Sequence, residues 1–305
     1  MRKVKKVSGV IVPMITPFTK NYKVDNEAVI KIINSFVEAK VYPFVLGTTG
    51  EASSVSDNER YDYVKTICRE FAGKTTIYAG ISGNSYNDSV ESAKKYFDLG
   101  IDYVVAHLPS YYKLTPDQML LYFEKLADNI PGSLIVYNIL ATTHMSIPLE
   151  VVDKLSQHEN IVALKDSERD VERLEQAIGK YKDRDDFAHI LGWAAQSFFA
   201  LSLGSDGLVP STGNFVPELF YQLYDAVINE RSDEGKELQL TTDSIAIIYQ
   251  KDRILGDSLA ALKIMMNEHG LCGKTVLPPL TQLSKEDEET IRDKVKELDK
   301  TILRK

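Results

Sequence analysis

Short apolar runs alternate with longer segments of helical spacing along most of the 305-residue chain. "GVIVPMIT" (9–16) is apolar and β-branched, and "DNEAVIKIINSFVEAK" (25–40) follows with Val29, Ile32, Ile33 and Phe36 on one stripe. "PFVLGTTGE" (43–51) is a second apolar run ending in glycine. It leads to "SDNERYDYVKTICREFAG" (56–73), where Ser56 and Glu59 have the spacing of a capping box and Gly73 is the stop. The alternation continues through "TTIYAGIS", "DYVVAHLP", "SLIVYNIL", "IVALKDS", "FAHILGWA" and "DGLVPST", each followed by a helical pattern. That makes eight strand–helix units by about residue 230. Short apolar strands without clean alternation suit a parallel sheet covered on both faces. Eight right-handed crossovers close naturally into an α/β (β/α)8 TIM barrel, with an open doubly wound sheet as the alternative. Residues 231–305 read as helices only. We therefore expect a barrel over 1–230 and a C-terminal helical extension over 231–305 packed on it.

Composition changes this picture little. The chain is 44% hydrophobic and 26% charged, ordinary for a globular protein. A net charge of −8 argues against a broad nucleic-acid surface, although local donors can still hold a small anion. The start "MRKVKKVSGVIVP" reads as a basic entry to a first strand rather than a signal peptide, and no run of 18 apolar residues predicts a membrane span. Cys68 and Cys272 sit in unrelated contexts, so a reducing, cytoplasmic location is expected. Five histidines form no H-x-H or H-x-x-x-H pair, which argues against a metal-dependent barrel enzyme; no cofactor is called for.

In a barrel the chemistry gathers at the C-terminal ends of the strands. "IVALKDS" ends there with Lys165. Alternation puts Ile161, Ala163 and Lys165 on one face and Val162 and Leu164 on the other. If Ala163 points inward, so does Lys165, and Tyr137 of "SLIVYN" can meet it about 4.8 Å away on the neighbouring strand. A lysine there loses hydration, and its neutral amine can attack a carbonyl to form a Schiff base. Tyrosine and threonine hydroxyls can move the protons. Position alone leaves open that the lysine snorkels to solvent. "GTTGE" (47–51) brackets Thr48 and Thr49 with Gly47 and Gly50. Glycine permits positive φ, so amides and hydroxyls can converge on a carboxylate; an ordinary capped turn is equally compatible. Glu51 is either a buried partner that secures this loop or the start of a helix.

Together, "P-x-x-TPF" (13–18), "GTTGE" (47–51), "YY" (111–112), "YN" (137–138), "LKDS" (164–167) and "DGLVPSTGN" (206–214) resemble the dihydrodipicolinate synthase / N-acetylneuraminate lyase family, in order over about residues 7–290. The resemblance implies a homotetrameric Schiff-base barrel acting on pyruvate or another 2-oxo acid and an aldehyde. It implies that Lys165 forms the imine and Tyr137 relays protons. Thr48 and Thr49, with Gly47, would hold the carboxylate, and Thr48 would join the relay, completed by Tyr112 of a neighbouring subunit. Gly192 and Val209 match positions lining the pyruvate site. Members that make dihydrodipicolinate usually continue "YN-x-P-x-R-[TS]-G"; here "YNILATTH" has Leu140 at the proline and Thr142 at the arginine. Threonine cannot replace that bidentate donor for the aldehyde partner's carboxylate. Trp193 is expected to add bulk near the site. These departures favour a lyase for a 2-keto-3-deoxy sugar acid or similar hydroxylated 2-oxo acid. Dihydrodipicolinate synthase, N-acetylneuraminate lyase, a Schiff-base dehydratase and a non-catalytic 2-oxo-acid-binding barrel remain alternatives.

Overall fold

The structure is a computed structural model that describes residues 5–303. The basic start and the end of the last expected helix lie partly outside these residues. Eight strands run Gly9–Pro13 (β1), Tyr42–Val45 (β2), Tyr78–Gly80 (β3), Tyr103–His107 (β4), Ser133–Asn138 (β5), Ile161–Asp166 (β6), Ala188–Leu191 (β7) and Gly207–Leu208 (β8). They pair in parallel in chain order, and β8 returns to β1 through Gly9↔Gly207 and Val10↔Leu208. The sheet is a closed (β/α)8 barrel, not an open one.

Alternation along the strands sorts the apolar side chains into two layers. Ile11, Phe44, Tyr78, Val105, Ile135 and Ala163 fill the interior. Val12, Val45, Val104, Val136, Leu164 and Leu191 face outward into the larger core under the helices. Burial on both faces explains the continuous apolar runs. The expected parity of β6 fails at its first residue. Leu134 pairs with Ile161 but Ile135 pairs with Ala163, so β6 carries one extra residue there. Ile161 therefore joins the outer core and Val162 packs toward the interior; from Ala163 onward the expected parity holds.

Helix starts follow their capping residues. Asp25, Ser56, Ser85, Thr115, Asp170 and Ser284 each accept from the backbone N–H three residues on. The box expected at Ser56–Glu59 forms only its first half. Glu59 instead accepts from Lys23 Nζ at 2.8 Å and the Val24 N–H at 3.2 Å, a charged donor outcompeting a backbone one. The complete box lies at Thr115–Gln118.

Among the described residues three α-helices follow the barrel, Ser232–Gln250, Leu255–Glu268 and Lys285–Leu298, the last running on into a π-helical turn, Asp299–Leu303. The first lies against Ser197–Leu203 and Pro217–Ile228. The second sends Lys263 to the end of β2, where it pairs with Glu51; both side chains are fully buried. Lys263 Nζ also donates to Thr275 O at 2.8 Å, and Glu51 Oε2 accepts from the Leu277 N–H at 2.8 Å. Glu51 is thus the loop-securing partner. Replacing Lys263 by methionine leaves that carboxylate buried and unpaired. Lys263→Met should lower the unfolding free energy by about 3–5 kcal/mol. The double variant with Glu51→Met should recover most of the loss, both read from urea-unfolding midpoints. An unchanged midpoint in the single variant would contradict this.

Candidate active site

Register brings the two principal residues together. Tyr137 on β5 pairs with Lys165 on β6, one step above the Ile135↔Ala163 pair. Lys165 is 3% exposed. Its Nζ lies 3.6 Å from the centre of the Tyr137 ring and 4.6 Å from that of Phe44. Burial among these rings pushes the amine well below the ordinary lysine range, with no charged neighbour contributing to the shift. Burial raises the Tyr137 phenol, and the Ser167 and Thr48 hydroxyls beside it act the other way. Ser167 Oγ donates to the Tyr137 oxygen at 3.4 Å.

The alternation that turns Tyr137 and Lys165 inward turns Asn138 and Asp166 outward. Asn138 Nδ2 donates to Asp166 Oδ1 at 2.9 Å, and Arg173 Nε to Asp166 Oδ2 at 2.7 Å. Asn138 Oδ1 accepts from the Ile147 N–H at 3.0 Å. The carboxylate next to Lys165 in sequence is therefore engaged on the other side of the sheet. Gly192 is required by the close approach of strand ends: a Cβ there would lie 1.9 Å from Ser167 Oγ.

The "GTTGE" loop is a tight turn in which Gly50 N donates to Gly47 O at 3.0 Å and Glu51 N to Thr48 O at 3.1 Å. Positive φ does not fall on its glycines as expected, but on Leu46 (55°) and Glu51 (54°). Such a conformation costs about 1–3 kcal/mol, and the buried Glu51–Lys263 pair holds it in place. Gly47 and Gly50 serve close packing instead, against the Phe44 ring and Met14 O. No described residue accepts from the amides of Thr48 and Thr49.

A cavity of about 430 Å³ opens at this rim, within the usual span of about 300–1,000 Å³ for small-molecule sites. Gly47, Thr48, Tyr137 and Thr142 are on its wall, and Lys165 lies just behind the Tyr137 and Phe44 rings. Thr142 sits on a short helix, Leu140–Thr143, that the sequence pattern does not announce; its buried hydroxyl has no hydrogen-bond partner among the described residues. Thr49, Gly192 and Val209 lie off the wall, and Val209 belongs to the barrel interior. Tyr112 is 72% exposed and away from the cavity of its own chain, edge-to-face with Tyr111. Trp193 does not add bulk to the site: it packs against the outer core, because the residue after Gly192 turns toward the helices. Sequence reasoning missed His107, Ser53, Ser54, Ser82 and Ser110 on the wall, and Leu255, Gly256 and Leu280 from beyond the barrel. His107 was legible from strand parity, since it shares the face of Val105; the residues from beyond the barrel had no local signal.

This closed β/α barrel, with a buried amine beside its rim cavity, is that of an aldolase, a carbon–carbon lyase, on the evidence of its family. The chain belongs to the dihydrodipicolinate synthetase family, whose model matches residues 6–298. A 4-hydroxy-tetrahydrodipicolinate synthase of Kosmotoga olearia is 27% identical over 93% of this chain and 96% of its own. An uncharacterized DapA-like lyase of Thermococcus kodakarensis is 30% identical over 93% of this chain and 97% of its own. The chloride-inhibited dihydrodipicolinate synthase of Acinetobacter baumannii, solved in complex with pyruvate, is 26% identical with a TM-score of 0.87, covering 95% of this chain and 98% of that one. Among the described residues, no helix is long and apolar enough to cross a membrane.

The depressed Lys165 pKa carries a stability cost with a definite sign. Between the folded and the unfolded value (about 10.4) the unfolded chain binds one more proton, so stability rises with pH across that window. Below the folded value the full cost of burying the ammonium acts. Lys165→Met should therefore stabilise the protein by about 0.5–2 kcal/mol near neutral pH, with the gain shrinking toward about pH 10. Urea unfolding at several pH values checks this; a gain that grew with pH would refute it.

Proposed function

We propose that Lys165 forms a Schiff base with pyruvate or a related 2-oxo acid, and that the enzyme makes or breaks the carbon–carbon bond of a 2-keto-3-deoxy sugar acid or similar hydroxylated 2-oxo acid. The observation that carries this reading is the buried, unpaired amine against Tyr137. A neutral amine adds to the C2 carbonyl, and the carbinolamine takes up a proton and loses water to give the iminium. On cleavage the C3–C4 electrons move to the iminium as C4–OH loses its proton and becomes the aldehyde. Tyr137, in reach of the Thr48 and Ser167 hydroxyls, carries protons in these steps. The free amides of Thr48 and Thr49 supply donors for the carboxylate. The pyruvate complex of the Acinetobacter baumannii relative supports the 2-oxo acid.

The wall supports an uncharged, hydroxylated aldehyde half. It carries the hydroxyls of Thr48, Ser53, Ser54, Ser82, Ser110 and Thr142, and its described residues include no arginine or lysine. Its one carboxylate, Glu51, is already paired with Lys263. A carboxylated aldehyde would meet no cation there, which counts against the synthase activity named for several relatives. In this reading Tyr112, exposed on its own chain, completes the proton relay of a neighbouring copy in a homotetramer. Residues 231–305 act as an extension that walls the site, and two buried free thiols suit the cytoplasm.

Pyruvate with borohydride should add a reduced adduct to Lys165, mapped by mass spectrometry. An unmodified Lys165 in folded protein at saturating pyruvate would sink the assignment. A panel of 2-keto-3-deoxy sugar acids should release pyruvate; release of water without pyruvate would point to a dehydratase, and binding without turnover to a non-catalytic barrel. Tyr137→Phe should lower kcat by about 10²- to 10⁴-fold, read as pyruvate release, while the protein stays folded.

A further inference from the structure

The barrel rim carries a third inward residue in the same layer. His107 ends β4 in register with Tyr137, which is in register with Lys165. The layer below, Val105, Ile135 and Ala163, is wholly apolar and buried. The polar side chains thus begin together, one step up, on three adjacent strands. Parity puts His107 on the face of Val105, its ring meets that of Tyr137 edge-on at 6.1 Å, and it lines the cavity.

The hydrogen bonds of His107 define what it offers. Nδ1 lies 2.8 Å from Leu108 O, and a carbonyl only accepts, so Nδ1 carries the proton. Nε2 is then a bare lone pair, and no described residue donates to it. The His107 N–H donates to Ser82 Oγ at 2.8 Å, which holds the strand end in place. Burial and the nearby Lys165 both disfavour the imidazolium form.

We propose that His107 is a specificity-determining residue, whose Nε2 accepts a hydrogen bond from a hydroxyl on the aldehyde half of the substrate. This rests on the Schiff-base reading above. The serine and threonine hydroxyls of the wall can donate or accept, so they rotate to suit any polar partner. The neutral His107 Nε2 can only accept, and Glu51, the other acceptor-only side chain on the wall, is occupied. An aldehyde without a hydroxyl leaves a desolvated acceptor unpaired, and that penalty discriminates against it.

The test compares kcat/KM for condensation of pyruvate with glyceraldehyde and with propanal, alongside borohydride trapping of pyruvate alone, a step the aldehyde does not enter. Wild type should favour glyceraldehyde. In His107→Ala that preference should fall by about ten- to a hundredfold, mainly through the KM for glyceraldehyde, while trapping shows the imine site intact. His107→Gln, whose carbonyl can accept, should restore part of the preference and gives a second reading if the alanine variant does not trap. An unchanged preference in a variant that traps pyruvate overturns the role of His107 and leaves Lys165 chemistry standing. A wild type that traps pyruvate but shows no preference for glyceraldehyde overturns it as well. A wild type that traps nothing overturns both.

Discussion

Lys165 is buried at the barrel rim with no counter-charge among the described residues, and the surrounding polar structure is arranged so that none reaches it. Two carboxylates lie close to it in sequence or in space. Asp166 is the next residue, but strand alternation turns it outward, where Asn138 and Arg173 hold it. Glu51 faces the cavity, but Lys263 and the Leu277 N–H occupy its oxygens. A free carboxylate facing the amine would stabilise the ammonium and bring its basicity back toward the ordinary lysine range. The closed barrel enforces this by parity, since consecutive residues of a strand cannot share a face.

The Glu51–Lys263 pair has a second consequence. It couples the turn after β2 to a helix beyond the barrel, so the rim loop and the C-terminal helices hold one another. The turn contains two non-glycine residues at positive φ, a conformation that needs outside support. Support from Lys263 also brings Leu255, Gly256 and Leu280 to the cavity. The apolar part of the wall thus comes both from the barrel, through Phe44, Leu46 and Val105, and from beyond it, and the hydroxyl-rich part from the strand-end loops.

Much of the fold was legible because a parallel barrel writes itself locally. Each strand is an apolar run, each helix has its stripe, and the caps at Asp25, Ser85, Thr115 and Asp170 stand where their side chains suit. The misreadings came where distant groups compete. Glu59 left its capping box for Lys23, and an extra residue at the start of β6 turned Ile161 outward. Trp193 turned to the outer core. His107 was overlooked although its parity was readable, because a lone histidine has no motif to announce it.

Alternation and register rules by themselves placed Lys165 above Ala163 and beside Tyr137, because those relations need only the period of a strand and the order of its neighbours. The family motifs added the expectation that this amine forms a Schiff base. Tertiary structure decided what surrounds it: the depressed basicity of Lys165, the pairing of Glu51 with a residue 212 positions away, the cavity wall of hydroxyls without a cation, and the third polar side chain at the rim. Desolvation and charge pairing depend on every atom packed nearby, and those atoms come from segments whose separation along the chain carries no local pattern.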